Sequence, residues 1–170
     1  MTVYVALLRA VNVGGTGKLP MAELKSMCAA LGFKNVRTYI ASGNVVFESG
    51  AAEARVKSLL EARLNKYAGK SVGVVVRKPA ELAAVLKANP FPRAAPNRTL
   101  VTFLDAPPPK DALTQAAGRT NEEMRLGIRE IFVHYPEGAG TSKLRIPAAK
   151  AGTARNINTV GALVKLAAPA

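Results

Sequence analysis

Residues 89–98, NPFPRAAPNR, hold three prolines, which cannot sit inside regular elements. This stretch divides a chain of 170 residues into two halves, and the same pattern of elements occurs on either side of it. Before it, Thr2–Ala10 is β-rich and almost wholly apolar, a central strand buried on both faces. Asn12–Leu19 is a glycine-rich loop, with Pro20 at the first position of a helix. The helix runs over 21–31, with Leu24, Met27, Cys28 and Leu31 on one face, and Gly32 ends it. Val36–Ala41 and Val45–Glu48 are strands around the turn Ser42-Gly43-Asn44. Ser49 is placed to cap the next helix, striped by Val56, Leu59, Leu60, Leu64 and Tyr67. Ser71–Arg77 is a fourth strand.

A short helix from Pro79 to Ala88 leads into the proline stretch. Beyond it, Leu100–Leu104 reads as a strand and Asp111–Ala117 as a helix entered through three prolines. Strands follow near 123–128 and 130–135, then a glycine loop, then helical sequence to the C-terminus. The expectation is an α+β protein of tandem ferredoxin-like β-α-β-β-α units, mostly antiparallel sheets with helices packed on one face. Its parts are a first βαββαβ unit over 1–79, a short helix and Pro-rich linker over 80–98, and a second unit with a C-terminal helix over 99–170. The duplication lies in the order of elements, since residue identity between the halves is faint.

Hydrophobic residues make up 49% of the chain, and 30 of them are alanine. The larger ones that remain still fill a core, which excludes disorder as the dominant state. No apolar run is long enough for a membrane span, and the first residues lack a basic leader, so the expectation is no membrane partner and a cytoplasmic location. One Cys and one His exclude an internal disulfide and the usual zinc site, and no cofactor is expected.

The net charge is +13, an electrostatic footprint often found on nucleic-acid binders. Residues 1–80 carry 12 basic and 4 acidic side chains, and residues 81–170 carry 12 and 7. Residues 1–22 hold no acid, and residues 138–170 hold five basic residues and no acid. If these segments meet, they make a positive pocket; otherwise they are a solvated basic surface.

Three constellations carry candidate chemistry. In Arg9-Ala-Val-Asn12-Val-Gly14-Gly15-Thr-Gly17-Lys18 a strand feeds a glycine loop that opens a helix, an arrangement that turns amides toward an anion. Asn12 and Leu19 depart from the Walker pattern. In Tyr39-Ile-Ala-Ser42-Gly43-Asn44, Ser42 and Asn44 either reach a ligand from the hairpin end or satisfy a tight turn. Near the C-terminus, Ser142 and Lys143 precede Thr153, Arg155, Asn156, Asn158 and Thr159. These supply donors for a phosphate or carboxylate, or helix caps through Thr153 or Asn156.

RAVNVGG, YIASGNVVF, SKL and ARNINTV, in this order, resemble the bacterial domain of unknown function 1697 family over essentially the whole chain. The resemblance implies an α+β fold with ferredoxin-like duplication and carries over no catalytic residues. Its motifs fall on Arg9, Asn12, Gly14 and Gly15, on Ser42, Gly43 and Asn44, on Ser142 and Lys143, and on Thr153, Arg155, Asn156, Asn158 and Thr159. The family commonly has Trp where this chain has Ile157, so an apolar helix-face role survives there and a stacking role has no ring to perform it.

Cys28 reads as a small buried hydrophobe and His134 as a structural or surface residue. No two carboxylates are spaced for acid–base or metal work. The functional expectation is a module binding a small anionic or phosphate ligand. Its site gathers Arg9, Asn12, Gly14, Gly15, Lys18, Ser42, Asn44, Ser142, Lys143, Thr153, Arg155, Asn156 and Asn158. The alternatives are a nucleic-acid binder, for which nine aromatics are few, an enzyme on a phosphorylated or acyl metabolite using Lys143, Arg155 and Asn158, and a homo-oligomer paired through a sheet edge.

Overall fold

A computed structural model describes residues 1–9 and 18–168. The loop residues Asn12, Gly14 and Gly15 therefore lie outside the described residues. The chain is α+β, with two antiparallel four-stranded sheets and four α-helices among the described residues. It divides into two compact units, residues 1–82 with 163–170, and residues 83–162.

In the first unit β1 (Thr2–Leu8) is followed by α1 (Met21–Ala30), β2 (Lys34–Tyr39), β3 (Asn44–Ser49), α2 (Glu53–Ala68), β4 (Val74–Arg77) and the start of α3 (Pro79–Lys87). The sheet order is β2-β3-β1-β4, and each neighbouring pair is antiparallel. Alternation along β1 puts Tyr4, Ala6 and Leu8 on one face, against Leu24, Met27 and Cys28 of α1 and Val56, Leu60 and Leu64 of α2. The Phe33 and Phe47 rings stack there at 4.3 Å. Val5 and Leu7, on the opposite face of β1, are also fully buried. Truncating one such leucine to alanine costs about 2–5 kcal/mol.

Local chemistry sets the ends of these elements. Gly32 follows α1 at φ +86° and Gly69 caps α2 at φ +68°, conformations that cost other residues a Cβ clash. Pro20 is the N-cap of α1, one position ahead of the first helical residue Met21, and not the first helical position expected of it. Ser49 does not cap α2. It ends β3, and its hydroxyl accepts the Ala51 amide at 3.1 Å, while the N-cap is Ala52. The fourth strand begins at Val74, where Glu61 of α2 accepts the Val74 amide (3.0 Å) and Lys57 donates to the Val74 carbonyl (2.7 Å).

The second unit holds β5 (Thr99–Phe103), β6 (Glu123–Leu126), β7 (Glu130–His134) and β8 (Thr153–Asn156), and α4 (Ile157–Ala167) starts in it. The order is β6-β7-β5-β8, again antiparallel throughout. Leu104, Ile131, Val133 and Ile146 form a core under which Leu113, Met124 and Leu144 pack.

Two expectations fail here. Residues 111–117 are not a helix: 111–115 form successive turns, and Ala117 is a bridge residue. Seven residues behind a triple proline offer too few bonds to offset nucleation, and Ala117 is drawn into a two-bond bridge with Arg145 (2.9 and 2.8 Å). The sequence after the glycine loop is not continuously helical either. Two 3-10 turns, Ala139–Thr141 and Pro147–Ala151, and the strand β8 precede α4. Thr153 is thus a strand residue paired with Phe103, not a cap, while Asn156 does cap α4, its Oδ1 accepting the Thr159 amide at 2.9 Å.

Candidate functional site

The segment from Ser142 to Ile146 is extended, and its side chains alternate. Leu144 and Ile146 enter the core, whereas Lys143 and Arg145 are exposed on the outward face. Both ends of this arrangement are fixed. The Ala117–Arg145 bridge holds the backbone at one end. At the other, the Ser142 hydroxyl accepts the Leu144 amide (3.1 Å) and donates to the Glu122 carboxylate. Lys143 and Arg145, two residues apart on this extended segment, make a cationic face.

Two hollows border this segment. The larger, about 460 Å³, is lined by Arg145, Ile146, Pro147, Ala149 and Lys150. The smaller is a cleft of about 330 Å³ whose polar walls include Glu122, Tyr135, Glu137, Ser142 and Lys143. Glu122 is only 3% exposed. Its Oε1 accepts the Thr120 amide (2.7 Å) and hydroxyl (3.2 Å), and its Oε2 accepts Ser142. These donors, Ser142 first, hold its carboxyl down at about 2. The Tyr135 phenol is pushed up by burial and then by the negative charge of Glu122.

Within the second unit the sequence-derived site residues fall on a loop, on β8 and on α4. Ser142 and Lys143 line the cleft. Thr153 and Arg155 are buried in β8, where the Arg155 guanidinium donates to the Thr153 hydroxyl (2.6 Å) and the Ala154 carbonyl (2.9 Å). Burial brings the Arg155 guanidinium down to about 10. Asn156 is engaged as a cap, and Asn158 is exposed on α4. In the first unit, Asn44 is fully buried and donates to the Tyr39 carbonyl (2.9 Å) and the Ser42 hydroxyl (3.0 Å), so these two residues satisfy the hairpin turn. Arg9 and Lys18 are exposed, and the Arg9 amide donates to the Gly73 carbonyl at 2.9 Å.

Arg145 and Lys150 were not singled out by motif, although both lie in the acid-free stretch 138–170. The alternation of Arg145 with Leu144 and Ile146 was a signal for that residue, and Lys150, in the 3-10 turn that follows, had none beyond its charge. Glu122 carried no signal, because its partner Ser142 is 20 residues away. Among the described residues no cluster of His, Cys, Asp and Glu could hold a metal, and no helix is long and apolar enough to cross a membrane.

Residues 1–132 match the family model described as a protein of unknown function (DUF1697). A solved structure of the conserved bacterial protein SP0830 from Streptococcus pneumoniae is similar over 98% of this chain and 99% of that one, at 24% identity and a TM-score of 0.78. It shows a shared fold. No curated protein matches the sequence.

Proposed function

We propose, for a chain that belongs to the DUF1697 family of proteins of unknown function, that it binds a small organic anion in the hollow beside Arg145 and Lys150. One observation supports this most. Two cationic side chains line the same 460 Å³ space as the apolar Ile146, Pro147 and Ala149. A guanidinium presents a planar fork to a carboxylate or phosphate, and an ammonium adds a second charge. The apolar wall suits the carbon body of the ligand. Because the Arg145 backbone is pinned to Ala117, binding has side chains to order there and not the chain itself. The net charge of +13 raises the local concentration of any anion.

The test is a titration of the full chain with phenyl phosphate, read by amide resonances. Shifts are expected across 145–150. The Arg145→Ala, Lys150→Ala double variant, both at exposed positions, loses about tenfold or more in affinity, the size of one charged contact. Unchanged binding in that variant, or no shift over 145–150, rules the proposal out. Single-stranded oligonucleotide in the same titration tests the nucleic-acid alternative.

The matching strand orders β2-β3-β1-β4 and β6-β7-β5-β8 support reading the two units as a tandem ferredoxin-like pair. The registers agree with it: Val5 pairs with Arg77 in the first sheet, and Val101 with Arg155 in the second. Both arginines are buried, in the fourth strand of their sheets.

A further inference from the structure

The cleft on the Ser142 side differs in sign from the rest of this basic molecule. Two carboxylates, Glu122 and Glu137, line it with the Tyr135 ring, and Lys143 stands on the same wall. Glu122 is only 3% exposed, and its carboxylate accepts from neutral donors, the Thr120 amide and hydroxyl and the Ser142 hydroxyl, while the Arg119 guanidinium donates to its backbone carbonyl at 2.6 Å. Neither glutamate forms an ion pair among the described residues. Buried carboxylates are ordinarily compensated by a cation, because neutral hydrogen bonds satisfy the lone pairs without cancelling the charge. An ammonium group would cancel it here, and an aromatic wall adds to that attraction. Lys143 opposes a simple cation in the same space and favours an anionic group.

We infer that the cleft binds a small zwitterion, its primary ammonium directed at Glu122, Glu137 and Tyr135 and its anionic group at Lys143. The volume of about 330 Å³ sits at the small end of ligand sites, so the molecule is metabolite-sized. This site is distinct from the anion hollow, since the residues lining the two do not overlap.

The experiment titrates the full chain with phosphoethanolamine and, separately, with its two halves, ethyl phosphate and ethanolamine, again reading amide resonances. Phosphoethanolamine is expected to shift residues 120–122, 135–138 and 141–143 and to bind about fivefold more tightly than either half, the worth of one exposed ion pair. Glu137 and Lys143 are exposed, so their replacement leaves the fold intact. Glu137→Gln weakens phosphoethanolamine toward the affinity of ethyl phosphate, and Lys143→Met brings it down to that of ethanolamine. The Arg145→Ala, Lys150→Ala variant retains the cleft affinity, which separates this site from the anion hollow. Either half-ligand binding as tightly as phosphoethanolamine, no shifts at the cleft residues, or undiminished affinity in Glu137→Gln overturns the inference.

Discussion

The Ser142 hydroxyl donates to Glu122 across 20 residues of sequence and at the same time accepts the Leu144 amide. One side chain thus anchors the cleft acid and sets the course of the segment that carries Lys143 and Arg145. The consequence is a coupling between protonation of the acid and order in the cationic segment.

That coupling predicts a pH dependence of stability. The Glu122 carboxyl is held at about 2 in the folded chain, below its ordinary value of 4.5. A depressed acid contributes stability that is present above its unfolded value and lost as pH falls through the folded one. The thermal midpoint should therefore drop between pH 4.5 and 2, and Glu122→Gln should flatten part of that drop. Identical pH profiles for the two proteins would show that the hydrogen bonds to Glu122 carry no linkage.

Gly118 predicts a different kind of effect. It sits at φ +73°, and a Cβ there would stand 2.1 Å from the Lys143 carbonyl oxygen. Gly138 is a matched control, at φ +87° with open space around it. Gly138→Ala should cost only backbone strain, about 1–3 kcal/mol. Gly118→Ala should cost more than that and should move the Lys143 amide resonance. Equal losses in denaturant unfolding of the two variants would mean that the Lys143 backbone yields without penalty.

The sequence made the first unit legible almost throughout, because each element there has its own local signal. The 3.6-residue stripe of Leu24, Met27 and Cys28 and the glycine after it specify α1 without help from the rest of the chain. The second unit was less legible because non-local contacts decide its course. Nothing near Thr153 announces a strand. Its four residues are strand because Leu100–Phe103 offers them a ladder. Asp111–Ala117 has helical composition, but its last residue is committed to Arg145. The candidate site shared that difficulty. Lys143 was visible as a cation in a glycine-flanked motif, whereas Glu122 owes its place in the cleft to a partner far along the chain. Arg155 was visible too, as a donor for an anion, and β8 buries it beside Thr153.

The cap on α4 gives a local prediction. Asn156 Oδ1 accepts the Thr159 amide at 2.9 Å, one of the donors a helix start leaves without an internal partner. Asn156→Ala should cost about 1 kcal/mol in chemical denaturation, and Asn156→Asp should recover most of it. A loss of the same size in both variants would indicate that the side chain acts through packing and not as a cap.

Cys28 gives the last prediction. It is fully buried beside Leu24 and Met27, and burial pushes its thiol up to about 12. A thiolate is the reactive form, so in the folded chain Cys28 lacks both the charge and the access that modification requires. Reaction with a thiol reagent at pH 8 should proceed only as fast as the first unit opens, and denaturant should accelerate it steeply. The linkage has the opposite sign to that of Glu122. An acid raised by folding contributes stability below its unfolded value near 9 that is lost as pH rises toward 12. Cys28→Ala should abolish labelling and cost about 1 kcal/mol, the scale of a small core truncation. Labelling of the native chain at the rate of a free thiol would mean that α1 leaves the sheet far more often than a core of fully buried side chains permits, and the packing assigned to this face would have to be redrawn.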